Sequence, residues 1–141
     1  MMEAAMKSQS ILPQRFICLS LGIIYIWFGT LKFFPGISPA EQLAGETINS
    51  LSFRAISAST GVRLLAIWEV GIGLAFMLGL VNRKILILYL LHMLGTFTPL
   101  VLLPDYSFSS LPFVLTLVGQ YIIKNILFIA VGFWLWKETN S

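Results

Sequence analysis

The sequence predicts an all-α integral membrane protein: four transmembrane helices in one bundle, with a short amphipathic helix in the first outer loop. Three observations carry this. First, four long apolar runs, Phe16–Phe34, Val62–Leu80, Ile85–Leu103 and Phe113–Trp136, cover most of the 141 residues. Each is at least about as long as the ~20-residue helix that crosses a ~30 Å hydrocarbon core. Second, hydrophobic residues make up 57% of the chain and charged residues 11%, with a mean hydropathy of +0.88, well away from soluble usage. A soluble domain of this size has no interior that hides four such runs. Helices in a bilayer satisfy their own backbone hydrogen bonds and can face lipid. Third, Glu69, His92 and Lys124 lie near the midpoints of their runs, within roughly one turn of one plane at ~1.5 Å per residue. The ~10-residue alternating segments of a membrane β-barrel are absent. Residues 1–141 read as one domain.

Residues 1–12 are a short start carrying Lys7, and Pro13 with Arg15 stands at the mouth of the first helix, 14–34. Proline is tolerated in a first turn because the N–H it lacks would be unpaired there. The apolar run exceeds the 7–15 residues of a signal-peptide core and no A-x-A site follows, so it reads as a retained helix. Phe33-Phe34-Pro35-Gly36 stops it. Ser38-Pro39-Ala40-Glu41 has the S-x-x-E form of a capping box with proline at the first helical position. Ala40, Leu43, Ala44, Ile48 and Leu51 then recur at helical spacing, in a stretch too polar to span. Positions 39–50 read as an amphipathic helix, either lying at the interface or tucked over the bundle. The second and third helices, 62–80 and 85–103, are joined by Asn82-Arg83-Lys84, a turn tight enough to make them antiparallel neighbours. Pro99 kinks the third. Pro104 through Pro112 connects it to the fourth helix, 113–136.

Lys7, Arg15, Arg83, Lys84 and Lys137 fall on one side, and Lys32, Arg54 and Arg63 on the other with Glu41, Glu46 and Asp105. The positive-inside rule then places both termini in the cytoplasm, with the chain in a plasma or inner membrane. Trp134 and Trp136, just before Lys137, form an inner interfacial anchor. The net charge of +3 gathers into no patch, which argues against nucleic acid. One cysteine, Cys18, allows no intramolecular disulfide and no CxxC chemistry, and one histidine is too few for a redox metal or haem.

Helical spacing places the polar residues in one stripe per helix. The first carries Cys18, Gly22, Tyr25, Gly29 and Lys32; the second Glu69, Ile72, Gly73 and Phe76. The third carries Tyr89, His92, Thr96 and Pro99; the fourth Gln120, Lys124 and Phe128, with Asn125 a quarter-turn away. A charge at mid-bilayer costs about 2.5–3.5 kcal/mol on an insertion scale, so the stripes should converge inside the bundle. Glu69 and Lys124 are expected to pair. Lys32, nearer the outer boundary, reads as a snorkelling side chain. The plainer readings are an ion pair that only joins helices, a core histidine bonded to Thr96 or a carbonyl, and a tyrosine that only packs. Gly71, Ala75 and Gly79 form a small-residue stripe suited to close contact within the bundle or with a second copy.

Arg15…Ser20-Leu21-Gly22…Phe28-Gly29…Lys32-Phe33 resembles the first helix of the DoxX/DoxD-like small membrane proteins. Leu65…Trp68-Glu69…Gly73…Leu78-Gly79-Leu80 and Gln120-Tyr121…Lys124-Asn125 resemble that family's second and fourth helices. The likeness covers residues 15–136. It implies a four-helix membrane bundle that is often a subunit or neighbour of redox systems. The DoxD type is associated with thiosulfate:quinone oxidoreductase, while related four-helix proteins are assembly factors or cargo receptors.

Three functions fit the residues. In a quinone-linked subunit, Tyr25, His92, Gln120 or Lys124 would bond a quinone carbonyl and Glu69 would handle the proton. Trp27, Phe28 and Trp68 would flank the flat ring. In an assembly protein or scaffold, the stripe fixes the chain's own packing and an outer helix meets a partner membrane protein. In a small-molecule or ion conduit, the same residues form a binding site. No catalytic residue is assigned, and the sequence leaves open whether the chain is an enzyme.

Overall fold

The computed structural model describes residues 2–110 and 113–139, with side chains from Leu12 onward; the Lys7 side chain and Pro112 lie outside that set. The chain is mostly helical. Its elements are α1 (Met2–Leu31), α2 (Glu41–Leu51), α3 (Ala58–Met77), α4 (Arg83–Gly95), α5 (Pro99–Leu102), α6 (Pro104–Ser107), β1 (Phe108–Ser110), β2 (Val114–Leu115), α7 (Leu117–Ile123) and α8 (Asn125–Glu138). Four helical stretches, Leu12–Leu31, Ala58–Met77, Arg83–Leu102 and Leu117–Glu138, are long and apolar enough to cross a membrane.

Local chemistry sets most of the boundaries. Ser57 caps α3 by accepting from the Thr60 N–H, and Asn82 caps α4 by accepting from Lys84 and Ile85. Beyond α3, Gly79 adopts φ +70°. The Leu80 N–H reaches Ala75 O at 2.8 Å and the Gly79 N–H reaches Phe76 O at 3.2 Å, the paired bonds of a Schellman stop. Gly79 therefore closes the helix and takes no place on a helix face. Ala75 is buried and Gly71 is exposed, so the three small residues do not form one contact stripe.

Other boundaries differ from expectation. Pro13 lies inside α1, not at its mouth. The Ser38 side chain makes no cap; Ala40 holds the N-cap position of α2, and the Glu41 carboxylate accepts from the Gly36 N–H at 2.7 Å. The third apolar run is two helices. It breaks after Gly95, where the Thr96 and Thr98 hydroxyls bond back to Met93 O and Gly95 O, and resumes at Pro99. The fourth run opens with a hairpin, Phe108 opposite Leu115 and Ser110 opposite Val114, so its helix starts only at Leu117. Thr116 fixes that start: its hydroxyl donates to Tyr106 O at 2.6 Å and accepts from the Gly119 N–H at 3.1 Å.

The long helices pack antiparallel in the order α1, α3, α4, α8. Glycines let α1 and α3 approach: a Cβ on Gly73 would sit 2.9 Å from Ile26 N, and one on Gly29 would sit 2.9 Å from Glu69 Cβ. Between α3 and α4, Phe76 meets Tyr89 edge-on with ring centres 5.4 Å apart. Between α4 and α8, the Tyr89 hydroxyl donates to Phe128 O at 2.7 Å, Asn125 bonds Thr96, and Arg83 lies over the Trp136 ring. Leu21, Tyr25, Ile72, Phe76, Leu86, Tyr89, Met93 and Leu135 form the shared core. Helix α2 is tucked back over the start of α3. A Cβ on Gly61 would meet Ile48 Cγ2 at 2.6 Å, and one on Gly45 would meet Ala58 Cβ at 3.0 Å.

A buried network of Lys32, Glu69, His92 and Tyr25

The close seat of Gly29 on α3 sets the site, because it brings the end of α1 against Glu69. Helix α1 stops at Leu31, and the Lys32 N–H turns back to Gly29 O at 3.1 Å. From that turn the Lys32 side chain reaches inward, where its ammonium donates to Glu69 Oε2 at 2.6 Å and to Phe28 O at 3.3 Å. Glu69 Oε1 lies 3.0 Å from His92 Nε2 on α4. His92 Nδ1 lies 2.9 Å from the Tyr25 hydroxyl, back on α1. One chain of hydrogen bonds thus runs through three helices.

All four members are buried: Tyr25 4% exposed, Glu69 6%, Lys32 7% and His92 9%. With Glu69 ionised, Lys32 charged and His92 neutral, His92 Nε2–H donates to Glu69 and Nδ1 is left to accept from Tyr25 O–H. Among the described residues no buried side-chain polar atom lacks a partner. Trp68 stands beside the network, its ring centre 6.2 Å from that of His92, and is 39% exposed.

Set against the expected set, the structure brings together Tyr25, Lys32, Glu69 and His92. Two corrections follow. Glu69 does not pair with Lys124; it pairs with Lys32, which does not snorkel. Lys124 and Gln120 are exposed, and the Lys124 ammonium lies over the Tyr121 ring, 4.5 Å from its centre. Thr96 and Asn125 form a separate link between α4 and α8, with Asn125 donating to the Thr96 hydroxyl at 3.0 Å, so His92 does not bond Thr96. Of the two tryptophans, Trp68 lies by the network. Trp27 is 67% exposed and lines an apolar groove with Ile23, Ile26, Thr30, Leu31 and Met77. The sequence reading places Gly29 and Lys32 on one stripe but does not use Gly29 to pair Lys32 with Glu69. A small residue one turn before a helix-end lysine lets the neighbouring helix's carboxylate come within reach.

A second polar cluster ties α2 to α6. Gln42 donates to Glu46 and to the Tyr106 hydroxyl, and Tyr106 donates to Glu46 Oε1 at 3.0 Å. The Glu46 carboxylate that accepts this bond pushes the Tyr106 phenol above its ordinary value. No group of three or more metal-ligating side chains occurs among the described residues.

No protein-family model, curated protein or solved structure matches the chain.

Proposed function

We propose that the chain is a multi-pass integral membrane protein of the DoxX-like kind, a quinone-linked accessory subunit of a membrane redox system. The membrane part is supported by an inverted distribution of residues. Lys32, Glu69 and His92 are inside, while Phe16, Ile23, Trp27, Leu64, Ile67, Leu91, Leu127 and Phe133 face outward on the four long helices. The positive-inside count assigns both termini to the cytoplasm of a plasma or inner membrane.

The single observation that carries the redox reading is the unbroken chain from Lys32 to Tyr25. Ionisable side chains are rare at this depth, and a linked series of them is a proton path by its chemistry. Reducing a quinone to a quinol takes two electrons and two protons. The electrons come from a partner protein; the network supplies a route for protons. In its resting arrangement the His92 N–H and the Tyr25 O–H are both spent inside the network. A proton added to His92 makes both ring nitrogens donors, so Nδ1–H turns toward the Tyr25 oxygen and the Tyr25 hydrogen is released. That hydrogen is then free to bond a quinone carbonyl, with Trp68 as the flat face beside it.

Native mass spectrometry from nanodiscs loaded with a quinone tests this. One retained quinone per chain is expected. Tyr25→Phe keeps the ring and removes only the hydroxyl, so it should weaken quinone binding by about tenfold, one hydrogen bond's worth, while the fold persists. If no quinone is retained, or if Tyr25→Phe binds it equally well, the redox reading fails.

One observation favours a second reading, a scaffold for another membrane protein: each side-chain nitrogen and oxygen of the network has a partner within the protein. A network of this kind that joins three helices is what fixed packing needs. On that reading quinone is absent, and a partner stays bound when the network is changed conservatively.

A further inference from the structure

Helix α7 opens Leu117–Glu138, the least covered of the four long apolar segments among the described residues. Only Gly119 and Ile122 of its seven residues are buried, and they seat it against the α6 end of the molecule. Gln120 and the C-cap residue Lys124, one helical turn apart, are exposed, as is Tyr121 between them. Lys124 stands seven residues past Leu117, roughly 10 Å along the axis at ~1.5 Å per residue. Around it Leu117, Val118, Ile123, Ile126 and Leu127 are exposed and apolar. Among the described residues the Gln120 amide has no hydrogen-bond partner. The Lys124 ammonium has only the Tyr121 ring. Every other lysine or histidine that the fold draws deep into an apolar segment is paired.

We infer that Gln120, Tyr121 and Lys124 form a docking surface for a transmembrane helix of a different protein that carries a carboxylate at matching depth. This rests on the membrane reading above, and not on the quinone. The three side chains together offer an ammonium, an amide N–H₂ and a phenol O–H, all donors that a carboxylate accepts from. The apolar positions around them suit the rest of a helix surface. A second copy of this chain does not supply the acid. Glu69 is taken by Lys32 and His92, Glu41 by Gly36, and Glu46 by Gln42 and Tyr106. Glu3 and Asp105 lie outside the four apolar segments, and Glu138 ends the last one. The carboxylate must come from elsewhere.

The test uses the full chain in phosphatidylcholine vesicles with a dye on its C-terminus. The probe is a synthetic Leu/Ala transmembrane helix bearing one Glu about 10 Å from its outer end, or Leu at that place. Energy transfer should report association with the Glu helix about tenfold stronger than with the Leu helix. Lys124→Met should abolish that difference, and Gln120→Leu should reduce it. Equal binding of the two helices, or full binding by Lys124→Met, overturns the inference. So does loss of the Glu preference on adding anionic lipid, because Lys124 then answers to a headgroup phosphate. So does energy transfer between two copies that Lys124→Met removes. The assay contains no quinone, so its failure leaves the redox reading standing. Failure of the chain to enter the vesicles at all counts against both.

Discussion

At the scale of residues, the most demanding feature is a carboxylate held between an ammonium and an imidazole. Breaking a buried ion pair strands one charge and costs about 3–5 kcal/mol, whereas removing both partners is close to neutral. Glu69→Gln and Lys32→Met are therefore each expected to lower thermal stability, and the double variant to recover most of the loss. Lys124→Met combined with Glu69→Gln should show simple additivity. If the Lys32 and Glu69 losses merely add, the two residues are not coupled and the geometry is wrong. The sequence made the acidic member and His92 legible, because ionisable groups inside apolar runs have to be satisfied. It did not reveal the right cation. Depth measured from run midpoints treats each helix as straight and centred, and by that measure Lys124 lies at Glu69's level. Lys32 reaches it instead because α1 ends at Leu31, just before it, and its long stem turns inward over Phe28 O. The inward face of α7 is set by Gly119 and Ile122 packing, not by its polar stripe.

At the scale of elements, periodicity located the helical segments, and the Asn82 turn gave the antiparallel pair. The stops inside apolar runs stayed hidden. The break at 96–98 carries side-chain bonds from Thr96 and Thr98 to Met93 O and Gly95 O, and the pairing of Phe108 with Leu115 is anchored by Thr116 to Tyr106 O; hydropathy registers neither. Nor did the pattern of 39–50 decide between interface and bundle; the Gly61 and Gly45 contacts place α2 over α3. A further tether is the Tyr106–Glu46–Gln42 cluster. Tyr106 has its phenol raised by Glu46 relative to an ordinary value of 10.0. The linkage sign is definite. A raised folded-state value means that the contribution is fully present below about 10, the unfolded phenol value. It is lost as pH rises through the folded value. Amide exchange across α2 should therefore be steady from neutral pH to about 9, once corrected for the intrinsic rate, and accelerate above that range. Tyr106→Phe should exchange faster at neutral pH and lose this alkaline step. An unchanged step in that variant would mean that another group holds α2.

At the scale of the whole molecule, polar residues gather inside three helices and apolar residues cover the outside, an arrangement that follows from solvent. In a medium without hydrogen-bonding capacity, a charge is cheapest beside its counter-charge, and an isoleucine costs nothing at the surface. The same reasoning underlies the proposed orientation. The Asn82 turn sits among Arg83 and Lys84, close to Lys137 at the end of α8, whereas Asp105 shares its end with Glu41 and Glu46. Lysine and arginine next to span ends stay on the cytoplasmic side, which is the ground for the proposal that the Asn82 end faces the cytoplasm. Cys18 is buried, and replacing it with alanine gives a background without thiols. In that background Asn82→Cys should react with a membrane-impermeant maleimide only after the cells are opened, and Asp105→Cys before. Both positions are exposed in the fold, so a silent thiol reports the membrane and not burial. Labelling of both sites from outside would remove the bilayer between the two ends. The reverse pattern would turn the molecule over and place the Lys32 end of the network on the cytoplasmic side.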